Sequence, residues 1–134
     1  GLSISLTVAF DGWGYVHLYS YPAMTELDTY AIPEAHDFTK ATGFGDLSVH
    51  EVAMSEQVND IAYFSYYAGG FRVARIVGGQ LNEVGRFIDD GGDGGNNFWG
   101  VQVWQHAGKE YVLASDRDYG VYIFEYTGPG SPND

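Results

Sequence analysis

Two groups of residues in this chain have types and spacings that could do chemistry. The first is the loop Asp89-Asp90-Gly91-Gly92-Asp93-Gly94-Gly95-Asn96-Asn97. Asp89, Asp90, Asp93, Asn96 and Asn97 set carboxylate and amide oxygens on a glycine-rich backbone, and a calcium ion takes about six to eight such oxygens. Glycine permits the tight turns that wrapping an ion requires. The spacing matches neither an EF-hand loop nor a strict nonapeptide repeat. A solvated acidic loop accounts for the same composition more simply.

The second group is His36, Asp37, Asp46, His50 and Glu51. Imidazoles among carboxylates could hold a transition metal or supply a general acid and base. His50 and Glu51 are neighbours in an expected strand, where adjacent side chains point to opposite faces. A hydrogen-bonding role for His50 is therefore the simpler reading. Asp116-Arg117-Asp118 reads as a salt-bridged turn rather than a binding tip. Tyr63, Phe64, Tyr66 and Tyr67 could stack on sugars, but alternation assigns half of them to packing between sheets. No Gly-x-Ser-x-Gly, Walker loop or paired-carboxylate motif is present. Catalysis is not the expectation.

Composition narrows the class. The chain has 134 residues, one domain's worth, with 45% hydrophobic and 16% aromatic residues, 11 Tyr and 19 Gly, a strand-and-turn composition. A formal net charge of −12 leaves no basic stripe to neutralise phosphate, so nucleic acid is excluded as a partner. With no cysteine, disulfides, thiolate metal sites and cysteine nucleophiles are excluded as well. No apolar stretch approaches the roughly 18 residues of a membrane-spanning helix.

The elements that must position these residues are read from a repeat. Leu6–Tyr21, Ile61–Ile76 and Tyr111–Tyr126 each run strand, turn, strand. Val16, Phe71 and Val121 start the second strand of each, spaced by 55 and then 50 residues. The flanks repeat too. Glu26-Leu-Asp-Thr-Tyr matches Glu83-Val-Gly-Arg-Phe, and Leu47–Ala53 and Trp99–Trp104 are candidate inner strands. Four-stranded antiparallel units at a period of about 40–50 residues are the pattern of β-propeller blades.

The runs Gly43–Ala53, Tyr67–Val73, Glu83–Asp89, Asn96–Val101 and Tyr111–Phe124 resemble the C-terminal part of bacterial LVIVD-repeat proteins. Gly70-Phe71-Arg72-Val73 and Gly120-Val121-Tyr122-Ile123 match the family's core pattern, whereas the first copy has Tyr15 in place of the glycine. The resemblance implies an exported or cell-surface β-propeller and transfers no catalytic residue.

The expectation is therefore an all-β chain of antiparallel four-stranded blades, about two and a half of them, incomplete at both ends. The blade-like units are 1–31, 47–88 and 98–126, with three, four and three strands, followed by a flexible tail over 127–134. A self-contained sandwich or barrel is the alternative fold. The expected role is a non-enzymatic extracellular or cell-surface module for interaction or for self-assembly by strand or blade completion, into a ring or filament. Its partners would be copies of itself or the remaining blades of a longer propeller. A metal-dependent hydrolase or lyase fragment and a calcium-stabilised surface binding protein are the alternatives.

Overall fold

The computed structural model describes residues 12–40, 46–89 and 95–134. All regular structure there is antiparallel β, apart from two short 3-10 turns at Pro33–His36 and Phe38–Lys40. β1 (Val16–Tyr19) and β2 (Glu26–Tyr30) form a two-stranded sheet. β3 (Glu51–Met54), β4 (Ile61–Ser65), β5 (Phe71–Val77) and β6 (Gln80–Phe87) form a four-stranded meander. β7 (Phe98–His106), β8 (Lys109–Asp116) and β9 (Gly120–Phe124) form a three-stranded one. None of the three sheets closes on itself, so a barrel is excluded for the described residues. The expected first strand, Leu6–Phe10, lies outside them.

The three sheets stack face to face, with the four-stranded sheet in the middle. Every residue of β4 is buried because both of its faces are covered. Ile61 and Tyr63 point to one side, where with Phe71 and Val73 they meet Val101, Val112 and Ala114 of the last sheet. Ala62 and Phe64 point to the other, where with Ala74 they meet Tyr30 and Ile32 of the first. A continuous apolar run in a short strand is what two covered faces require.

Register shows that the sequence repeat is a structural one. Val16 pairs with Tyr30 as Phe71 pairs with Phe87. Both pairs of strands then shift register after the next two rungs, between Leu18 and Tyr19 and between Val73 and Ala74. In the middle and last sheets, Ala53-Tyr63-Val73 and Gln102-Leu113-Ile123 form matching rows. The two-residue turn joining β5 and β6 uses Gly78 and Gly79 at φ of 60° and 81°, the left-handed pair that suits a tight hairpin.

One expected strand is shorter than its sequence pattern. The run Leu47–Ala53 becomes regular only at Glu51. Upstream, Asp46 Oδ1 accepts the Ser48 N–H at 2.8 Å, and the Val49 N–H donates to the Gly14 carbonyl at 2.9 Å. Those local and inter-sheet bonds divert residues 46–49 from the ladder, a competition short polar side chains often win. The ladder resumes where the His50 N–H donates to the Ser65 carbonyl at 2.9 Å. Residues 127–134, expected as a flexible tail, fold back on the last sheet. Asn133 brackets Glu110 of β8, its Oδ1 accepting the Glu110 N–H at 2.7 Å and its Nδ2 donating to the Glu110 carbonyl at 2.9 Å. Ser131 Oγ donates to the Tyr126 carbonyl at 2.8 Å.

Candidate functional site

The sequence-based candidates are distributed rather than gathered. Among the described residues, no three His, Asp or Glu side chains converge to hold a metal. His36 lies against Tyr15, ring centroids 5.5 Å apart, and Asp37 Oδ1 accepts from the Thr39 backbone and hydroxyl at 2.9 and 2.7 Å. Asp46 holds the Ser48 turn. His50 Nδ1 lies 2.9 Å from the Trp99 carbonyl, which can only accept, so this nitrogen carries the proton. Glu51 Oε2 accepts the Val101 N–H at 2.8 Å. His50 and Glu51 thus both reach β7 rather than opposite faces. His50 precedes β3, and strand alternation does not govern it.

Of the acidic loop, Asp90 and Asp93 lie outside the described residues. Asn96 is buried, and its Oδ1 accepts the Asp89 N–H at 2.7 Å. The Asn97 N–H donates to Asp116 Oδ2 at 2.8 Å, and its side-chain amide donates to Asp118 at 3.0 Å. Asp116 Oδ1 accepts the Asp118 and Tyr119 N–H groups at 2.8 and 3.0 Å. Backbone donors on a carboxylate therefore hold the Asp116–Asp118 turn, in place of the expected salt bridge. The Arg117 guanidinium sits 4.8 Å from the centre of the Trp99 ring, a cation–π contact. Of the four aromatics weighed as a sugar platform, Tyr63, Phe64 and Tyr66 are buried.

Two buried charged groups were not legible as special and join the layers. Glu110, on the core side of β8, accepts from Tyr63 hydroxyl at 2.8 Å, Ser55 hydroxyl at 3.0 Å, Glu56 N–H at 2.8 Å and Gln105 amide at 2.9 Å. Arg72, on the opposite side of the middle sheet, donates to the Gly69 carbonyl at 2.7 Å and pairs with Glu83 at 3.3 Å. Tyr30 of the first sheet donates its hydroxyl to the same Glu83. Burial, then these hydrogen bonds to carboxylates, push the Tyr63 and Tyr30 hydroxyls far above the ordinary tyrosine range. Charges in phase with apolar strand positions are the signal that finds both groups, since burial demands a partner.

The other features open to a ligand or partner lie at the limits of the stack. β9 pairs with β8 along one side, and among the described residues no strand pairs with its other side. Beside it runs a groove of about 300 Å³ lined by Val84 and Phe87 of β6, Phe124 of β9, and Tyr126 and Gly128 of the tail. In the middle sheet β6 stands next to β5, whereas among the described residues no strand stands next to β9. The outward face of β7–β9 exposes Trp104, Val121 and Ile123. At the far end, β1 turns His17 and Tyr19 outward, and both touch Glu26 Oε2, at 2.7 and 3.2 Å.

Comparison with protein-family models, curated proteins and solved structures gives no match.

Proposed function

We propose that the chain is a run of β-propeller blades of the LVIVD-repeat kind, acting outside the cell or at its surface as a non-enzymatic module for protein interaction or self-assembly. The observation that carries this reading is the contrast between two consecutive sheets. The middle one has four strands and two covered faces. Among the described residues, the last has three strands, an unpaired edge beside a groove lined in part by Val84, Phe87 and Phe124, and one uncovered face. A blade of four antiparallel strands buries its faces only against neighbours. An unpaired edge next to an apolar groove is also the geometry for adding a strand from another segment.

Completion by a neighbour accounts for both defects at once, the neighbour being another copy or further blades of a longer propeller. The inter-sheet bonds fit a scaffold role, since His50, Glu51, Glu83 and Glu110 all spend their polar atoms on holding sheets together. Sedimentation velocity from micromolar concentration upward tests self-completion: particles of two or more chains are expected. A single-chain particle with a cooperative melt at every concentration would rule it out.

A further inference from the structure

Resting on that completion reading, we propose that the outward face of β7–β9 in one copy seats the outward face of β1–β2 in a second copy, head to tail. The chain applies one stacking rule twice. The first sheet turns Val16 and Tyr30 toward the middle sheet, which answers with Phe64 and Ala74. The middle sheet turns Tyr63, Phe71 and Val73 toward the last, which answers with Val112, Ala114 and Phe124.

The last sheet repeats the first half of that rule with no answer among the described residues. Val121 and Ile123 hold the positions of Phe71 and Val73, in matching register. Phe71 and Val73 are each 3% exposed, whereas Val121 is 68% and Ile123 63% exposed. The polar part of the face repeats as well. Ser65 Oγ accepts the Glu51 N–H at 3.0 Å, and Ser115 Oγ accepts the Gly100 N–H at 2.9 Å. Ser65 also donates across the layer to the Trp99 carbonyl. Ser115 makes no such donation among the described residues and faces a hollow it shares with Gln102, Leu113 and Val121.

The first sheet carries the matching half. His17 and Glu26 hold the positions of Arg72 and Glu83, and each pair brings a side-chain nitrogen to a carboxylate, at 2.7 and 3.3 Å. The Arg72–Glu83 pair is covered by Tyr30 of the neighbouring sheet, while His17 and Glu26 are exposed. Tyr15 stacks on His17 at 4.9 Å and Tyr19 flanks it at 6.2 Å, giving that face a flat aromatic surface. Among the described residues, the stack thus has one outward face that lacks a following sheet and one that lacks a preceding sheet. A second copy supplies both, and such a heterologous contact extends to a ring or filament.

Three variants test the assignment. Val121→Lys with Ile123→Lys spoils the last face. Tyr19→Lys spoils the first while leaving a partner for Glu26. Trp104→Lys is a second lesion of the last face, should the double variant lose its sheet signal by circular dichroism. Each variant alone should sediment as one chain where the parent assembles. An equimolar mixture of a last-face and the first-face variant should form a two-chain particle that grows no further, because each copy keeps one intact face. Assembly of either variant at the parent's size would overturn the face assignment and leave the completion reading standing. So would a variant that forms a two-chain particle with itself, the sign of like faces pairing, and so would a mixture that stays single. A parent chain that never associates would remove the completion reading itself.

Discussion

The Tyr63 hydroxyl of β4 donates to Glu110 Oε1 of β8 across 2.8 Å, so one buried carboxylate ties the middle sheet to the last. The other oxygen of Glu110 takes three more donors, from Ser55, Glu56 and Gln105. A buried acceptor with four partners is worth less for its own bonds than for what its loss strands. Glu110→Ala leaves four donors facing a cavity and should cost about 3–5 kcal/mol, a large share of a small domain's stability. Tyr63→Phe removes one donor and should cost about 1–2 kcal/mol. Urea unfolding followed by circular dichroism gives both values, and the order Glu110→Ala above Tyr63→Phe is the point at risk.

The same contacts set an alkaline limit. Burial first, then bonds to Glu110 and Glu83, raise the Tyr63 and Tyr30 hydroxyls above the ordinary tyrosine value of 10.0. A raised folded-state pKa means the native state holds its proton more tightly than the unfolded chain. The stability linked to these groups is therefore complete below the unfolded tyrosine pKa and is lost as pH rises above it. Solvent-facing phenols ionise ahead of buried ones in a folded protein, with the sheet signal intact. Tyr30 and Tyr63 should ionise only with unfolding, so tyrosinate absorbance should rise in two steps. A single complete rise with the circular dichroism unchanged would contradict this burial.

Equivalent nitrogen–carboxylate pairs should differ sharply in their worth. Glu83→Gln removes the carboxylate beside the buried Arg72 guanidinium, leaving the Gly69 carbonyl as its remaining partner among the described residues. A stranded buried cation is expensive, and Glu83 is only partly exposed, so about 2 kcal/mol is expected. Glu26→Gln breaks the matching pair with His17 at the solvent face, where water replaces the contact. No measurable change in the melt of the single chain is expected there. Equal losses from the two substitutions would mean that His17 and Glu26 are already covered.

How much of this was legible in the sequence depends on the residue. Val16, Phe71 and Val121 mark strand starts by apolar alternation, and the structure keeps their equivalence down to a shared register shift in the first two sheets. Leu47–Val49 carries the same alternation, yet the Asp46 and Gly14 contacts divert it, because a local polar bond competes with the ladder. His50 and Glu51 were assigned to opposite faces by a rule that holds only within a strand, and His50 stands just before one. No motif marks Arg72 or Glu110, although each shares the phase of buried neighbours, Ala74 and Val112. Which faces are covered is a property of stacking order, and no single strand records it.

Gly70 and Gly120 hold the same place in consecutive sheets, both at left-handed φ, 86° and 95°. A methyl group at Gly70 would stand 2.6 Å from the Phe87 carbonyl oxygen of β6, whereas at Gly120 it would meet nothing within 4 Å. The difference is the fourth strand, present beside β5 and missing among the described residues beside β9. Gly120→Ala should thus cost about 1 kcal/mol of backbone strain, and Gly70→Ala about 2 kcal/mol more for the clash with backbone that cannot yield. Chemical denaturation of the dissociated chain measures this gap. The comparison also reads out assembly: a neighbour that lays a strand against β9 rebuilds the obstruction, so Gly120→Ala would then weaken association beyond its cost to the single chain. A neighbour that stacks only on the outward face leaves association of the alanine variant at the parent's strength, and sedimentation of the two side by side separates edge completion from face stacking.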